Sequence, residues 1–171
     1  MKFLVTGITG RIGTALAKAL LKEGHEVRGL VWPEDRQVSR LAGLDVELIE
    51  GSLTDDIKVR QAVHGVEVIC HLAAAFQAGG PFDNEAYFEI NVRGTFNMLE
   101  AAKAVAPNLQ QFFFASSDAL YQKYISGGIK EPIQEDTRIT PSGAYATPIY
   151  RRRADVGPMS ACLLDSFNPR R

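Results

Sequence analysis

The sequence of 171 residues is poor in cysteine and tryptophan, with two Cys and one Trp, and has no excess of either charge sign. Cys70 and Cys162 form no CxxC or metal-ligand spacing, so no metal site is expected. Cys70 lies in an apolar run where a buried free thiol is the ordinary state, which points to a reducing cytoplasm. Nineteen basic residues against 20 acidic ones exclude the strong positive field that drives non-specific binding to nucleic acid or an anionic membrane. Small molecules are the ligand class left. No stretch approaches the ~20 apolar residues of a membrane span. The opening Met1-Lys2-Phe3-Leu4-Val5 runs at once into Thr6-Gly7-Ile8-Thr9-Gly10, which reads as a first strand rather than a signal peptide.

What is present is an ordinary globular composition, 46% hydrophobic and 23% charged. At roughly 100 to 200 residues per domain the chain is one domain, long enough to bury about two-thirds of the surface its unfolded form exposes. Short β-rich runs alternate with helical patterns. Strands are expected at Lys2 to Thr6, Glu26 to Val31, Val46 to Glu50, Val66 to Leu72 and Gln111 to Ala115. Arg11 to Glu23 sets Ile12, Ala15, Leu16, Ala19 and Leu20 at helical spacing, with Gly24 where a C-terminal cap belongs. Asp55 to Val63 predicts a shorter helix. Asn84 to Ala106 predicts a long one, with Phe88, Val92, Thr95, Phe96 and Leu99 near its buried face and Pro107 ending it. Alternating strands and helices imply right-handed crossovers, hence an α/β fold with a doubly wound parallel sheet of Rossmann type.

Directly after the first strand comes Gly7-Ile8-Thr9-Gly10-Arg11-Ile12-Gly13, a GxxGxxG run that opens the first helix. Gly7 and Gly10 would let the backbone approach a pyrophosphate, and Gly13 would let the helix pack closely on the sheet. The helix N-terminus adds unpaired N–H groups and about half a positive charge. A plain tight turn is the alternative, but a strand before the run and an amphipathic helix after it meet the structural context a dinucleotide site requires. Such sites usually carry an acid near the end of the second strand for the ribose 2′-hydroxyl. This sequence has Val31 and Trp32 there. Without the acid nothing obvious rejects a 2′-phosphate, which Arg36 could reach, while Trp32 could lie against the adenine. A solvated Arg36 and a surface Trp32 explain the same residues. The expected cofactor is NAD or NADP, leaning slightly to NADP.

Further segments follow in order: Gly51-Ser52-Leu53-Thr54-Asp55, His71-Leu72-Ala73-Ala74, Asn91-Val92-Arg93-Gly94-Thr95, Ser116-Ser117-Asp118-Ala119-Leu120-Tyr121 and Pro132-Ile133-Gln134-Glu135-Asp136. With the glycine run they resemble the extended short-chain dehydrogenase/reductase family, the NAD-dependent epimerase/dehydratase group, from Met1 to about Thr147. The resemblance implies a cofactor surface of Gly7, Thr9, Gly10, Arg11, Ile12 and Gly13, continued by Ser52 and Leu53 beside the adenine. Ser52 there replaces the family's usual Asp. It further implies that Leu72, Ala73 and Ala74 line the cofactor, and that Asn91 bends the long helix or holds a relay water, unless it simply packs. Ser117 matches the Ser or Thr that hydrogen-bonds the reacting substrate oxygen, and Tyr145 matches the Tyr that exchanges its proton. A homodimer is also implied, weakened here by a missing helix.

The family's Lys four residues beyond that Tyr is Ile149 here, in Tyr145-Ala146-Thr147-Pro148-Ile149. An unperturbed Tyr titrates near pH 10, far from where an acid/base catalyst works best, so Tyr145 without the ammonium is expected to relay protons poorly. The composition changes at the same place. Residues 148–171 hold five Arg, no Lys, two Asp and three of the eight Pro, a charge of +3, which leaves 14 bases and 18 acids, or −4, in Met1 to Thr147. The expected division is therefore a Rossmann domain over 1–147 and an atypical, poorly ordered tail over 148–171, as a frame-shifted continuation of a truncated reading frame would give. The family implies hydride transfer on a sugar-nucleotide or a small alcohol or carbonyl substrate. For this chain the alternatives are a non-catalytic NAD(P)-binding or sensor module, or an unproductive truncated product.

Overall fold

A computed structural model of the chain describes residues 1–75, 83–117, 120–121, 132–134 and 136–140. Five parallel strands, β1 (Lys2–Thr6), β2 (Glu26–Val31), β3 (Val46–Glu50), β4 (Val68–His71) and β5 (Gln111–Phe114), form one sheet in the order β3-β2-β1-β4-β5. Strands β1, β2 and β3 have the expected bounds; β4 and β5 are shorter than their apolar runs. Helix α1 (Arg11–Lys22) joins β1 to β2, and a 3-10 helix (Arg36–Leu41) follows β2. Helix α2 (Asp56–Val63) follows β3, with Asp55 outside it as the N-cap whose carboxylate accepts from Lys58 N at 3.1 Å.

The two-residue repeat of a strand sends neighbours to opposite faces. Leu4, Leu30 and Ile69 pack under α2 and the long helical segment with Val59, Val63, Met98 and Ala102. Their neighbours Val5, Val31 and Cys70 pack under α1 and the 3-10 helix with Ala17 and Leu41. Both faces of the sheet are thus covered, as its apolar strands require. Burial pushes the Cys70 thiol up to about 11. Alkylation of the native protein at pH 8 followed by peptide mapping is expected to leave Cys70 unmodified, and modification at the rate seen in denaturant would contradict its burial.

The segment expected to be one helix from Asn84 to Ala106 is three: α3 (Asn84–Phe88), a π-helical turn (Glu89–Arg93) and α4 (Gly94–Val105). The wide turn takes up an extra residue and rotates the chain before and after it. The buried side is consequently Tyr87, Asn91, Thr95, Met98, Ala101 and Ala102, whereas Phe88 and Phe96, expected inside, are 39% and 53% exposed. Small residues bring α4 close to α2 and the sheet, and Asn91 turns inward. No helix among the described residues is long and apolar enough to cross a membrane. The boundary expected at Thr147 and the tail at 148–171 lie outside the described residues, as do Tyr145 and Ile149.

Candidate functional site

The strand order reverses between β1 and β4, since β1 continues to β2 on one side and meets β4 on the other. Such a switch point leaves a crevice at the carboxyl ends of the strands, where ligands of open α/β sheets bind. A cleft of about 320 Å³ lies there, lined by residues that leave β1 (Thr6, Gly7, Thr9, Gly10), β2 (Trp32, Asp35, Gln37), β3 (Gly51, Ser52, Leu53) and β4 (Leu72 to Ala75).

Its floor is the glycine turn. Gly7 has φ +68°, a left-handed conformation that costs other L-residues about 1 kcal/mol, and its α-carbon faces the Ala73 backbone so closely that a Cβ would sit 3.0 Å from Ala73 N. Gly10 N donates to Gly7 O at 3.0 Å to close the turn. At Gly13 a Cβ would stand 2.1 Å from Gly7 O, so α1 can rise from the turn only without a side chain there. Gly10 caps α1 with no side-chain hydrogen bond, and no acid lies in the first turn. The first N–H groups of α1 therefore have neither a helical carbonyl nor a capping side chain to bond. Arg11 and Ile12 are exposed and, with Gly13, contribute that first turn rather than the cleft wall.

The second-strand side differs from the expectation of no acid. Pro33 opens a turn in which Asp35 N donates to Trp32 O at 3.1 Å and Glu34 takes φ +64°. The turn folds Asp35, four residues past β2, back into the cleft. Its Oδ2 accepts from Thr9 Oγ1 at 2.7 Å and its Oδ1 from Gln37 N at 2.8 Å. Arg36, expected to reach a 2′-phosphate, is exposed and absent from the lining, while Arg40 Nη1 donates to Thr9 O at 3.1 Å. Trp32 lines the cleft and stays 56% exposed, as a rim residue does.

Ser52 and Leu53 both line the cleft; Ser52 Oγ lies 2.8 Å from Thr54 Oγ1 and accepts from Thr54 N at 3.1 Å. Opposite, Asn91 is fully buried outside the lining and acts on it through the backbone: its Oδ1 accepts from Ala75 N at 2.8 Å and its Nδ2 donates to Ala75 O at 3.1 Å. Ser117 stands half-buried beyond β5, at the same end of the sheet. The motif reading missed Asp35, Ala75 and the contact of Gln37; the Pro33 turn was the available signal for the first. No group of three His, Cys, Asp or Glu that could hold a metal occurs among the described residues.

Comparison with known proteins agrees with this arrangement. The chain is 35% identical over 135 residues to the 3 beta-hydroxysteroid dehydrogenase/Delta 5-->4-isomerase of Mycobacterium tuberculosis (strain CDC 1551 / Oshkosh), which covers 74% of this chain and 35% of that protein. It is 35% identical over 135 residues to a probable UDP-glucuronate 4-epimerase of Rhizobium meliloti (strain 1021), covering 71% of this chain and 38% of that one. Among solved structures, a short-chain dehydrogenase/reductase superfamily protein of Agrobacterium tumefaciens with bound NAD superposes with a TM-score of 0.76 at 32% identity, over 91% of this chain and 44% of that one. The chain thus spans little more than a third of these curated relatives. With residues 3–148 matching the NAD dependent epimerase/dehydratase family, and with its glycine turn, parallel sheet and switch-point cleft in place, the chain belongs to that family.

Proposed function

We propose that the chain binds NAD in the switch-point cleft and acts as a cofactor-holding module whose own turnover is impaired. The observation that carries the reading is the glycine turn, closed against Ala73 and opening onto an uncapped helix N-terminus within one cleft. The pyrophosphate would lie over Gly7, Gly10 and the first turn of α1, with the adenosine between the Trp32–Asp35 turn and Ser52–Leu53. The nicotinamide half would lie along Leu72–Ala75. Asp35 favours NAD over NADP: its carboxylate suits a ribose diol and repels a 2′-phosphate.

When bound, the nicotinamide would supply a hydride donor or acceptor. Ser117 would hold the oxygen of a sugar-nucleotide or a small alcohol or carbonyl substrate, and Tyr145 would exchange its proton. With Ile149 in place of the family Lys, that position supplies no ammonium for Tyr145, and binding without ordinary turnover is the expected behaviour. The near-neutral charge fits a small-molecule substrate rather than nucleic acid, and the buried thiol of Cys70 fits a cytoplasmic setting.

Trp32 is the chain's single tryptophan, so its fluorescence reports the cleft alone. Titration with NAD is expected to change that emission saturably, and NADP is expected to bind about tenfold more weakly. Asp35→Asn should narrow the difference. Absence of any NAD-dependent change, with calorimetry also silent, would overturn the binding reading; equal affinity for the two cofactors would overturn the role of Asp35. A hydride-transfer assay on the same protein and on Ile149→Lys then separates a binding module from a working enzyme.

A further inference from the structure

A continuous chain of buried polar groups runs beneath the cleft and ends in its wall. Thr6, His71, Asn91 and Thr95 are all fully buried. Ala73 N donates to Thr6 Oγ1 at 3.1 Å, Thr6 Oγ1 lies 2.7 Å from His71 Nδ1, and His71 Nε2 lies 3.0 Å from Thr95 Oγ1. Thr95 Oγ1 donates to Asn91 O at 2.8 Å, and the Asn91 amide holds both backbone groups of Ala75.

The direction of this chain follows from its ends. A carbonyl only accepts, so the Thr95 hydroxyl proton goes to Asn91 O, and Thr95 Oγ1 receives a proton from His71 Nε2. The neutral ring then presents Nδ1 as an acceptor, and Thr6 Oγ1–H donates to it while taking the Ala73 N–H. One tautomer, Nε2–H, satisfies the series.

We infer that His71 is a positioning residue for the cofactor: as the Nε2–H tautomer it ties β1 and the π-helical turn to the 73–75 segment, setting the wall against which the dinucleotide lies. His71 itself does not line the cleft, whereas Thr6, Ala73 and Ala75 do. The role rests on the NAD reading above. An apolar ring replacement leaves Thr6 and Thr95 to find other partners, and Ala73 N moves with Thr6.

The test measures NAD affinity by Trp32 fluorescence at a temperature where circular dichroism shows each variant folded. His71→Leu and Thr95→Val are expected to weaken NAD binding about tenfold or more. His71→Gln, which can donate and accept along the same line, and Thr95→Ser should restore affinity to within about threefold of the unaltered chain. A role confined to stability would lower the unfolding midpoint and leave the affinity of the folded protein unchanged, and that result would overturn the inference. Imidazole 15N shifts of the unaltered protein give a second readout independent of folding in the variants: an Nδ1–H tautomer at His71 overturns the inference, and Nε2–H supports it. Failure of the unaltered chain to bind NAD overturns the cofactor reading and this role together, whereas a folded His71→Leu with full affinity overturns this role alone.

Discussion

Gly13→Ala is expected to cost about 3 kcal/mol of stability and to abolish measurable NAD binding. The added methyl would meet Gly7 O at 2.1 Å, Ile8 Cα at 2.7 Å and Gly7 C at 2.8 Å. All three are backbone atoms, so no rotamer change relieves the clash, and α1 must move off the turn that presents its N-terminus to the cleft. Gly24→Ala provides the comparison. Gly24 ends α1 at φ +78° with no atom within 4 Å of the added Cβ, so only the left-handed backbone is penalised, by about 1 kcal/mol. Urea unfolding of the two variants checks the ranking, and equal midpoints would contradict the close approach at Gly13.

Arg28→Met is expected to lower stability by about 2–3 kcal/mol without altering the cleft. Arg28 sits in β2 with its side chain 10% exposed. Its Nη1 donates to Ala62 O at 2.9 Å and His64 O at 2.7 Å, satisfying carbonyls that the end of α2 cannot pair within the helix. Its Nε lies 3.0 Å from Glu47 Oε2, an ion pair without the alignment of a hydrogen bond. The apolar variant keeps the stem, leaves the carbonyls without their donor and leaves Glu47 with Lys2 alone, at 2.8 Å. Glu47 also gives a pH signature. Lys2 first, and Arg28 after it, hold its carboxyl below the usual value of 4.5. A depressed acid stabilises the fold above its unfolded pKa, and that contribution disappears as pH falls through the folded value. The Glu47 side chain is 46% exposed, so the effect is screened and salt-sensitive. Stability of the unaltered chain should thus fall below about pH 4.5 more steeply than that of Glu47→Gln. Parallel acid limbs would remove Glu47 from the account, and a stability loss under about 0.5 kcal/mol in Arg28→Met would remove Arg28.

The elements built on local periodicity were legible in the sequence. Strands β1 to β3 stand where their apolar runs place them, and α1 begins at Arg11, because a glycine turn between a strand and an amphipathic helix leaves little choice. The long helical segment misled for a reason outside any window. Periodicity sorted Phe88 and Phe96 inward by size, but the buried side is chosen by what α2 and the 75 position admit, and a π-helical turn rotates Asn91 into that place. Asp35 escaped the usual search because it is displaced along the chain from the end of β2 and returned by a turn with a left-handed Glu34. His71 was visible only as part of a motif. Its tautomer depends on Thr6 and Thr95, 65 and 24 residues away, and pattern reading does not bring such partners together.

The strand order also makes the two halves of the sheet unequal in assembly. Lys2 pairs with Glu26 across 24 residues, whereas Phe3 pairs with Val68 across 65. Closing the longer loop costs about 0.9 kcal/mol more chain entropy. The glycine turn and the Trp32–Asp35 side of the cleft can therefore be drawn together by local closures, while the opposite wall, with His71 at its root, waits on the most distant pairing of the central strand.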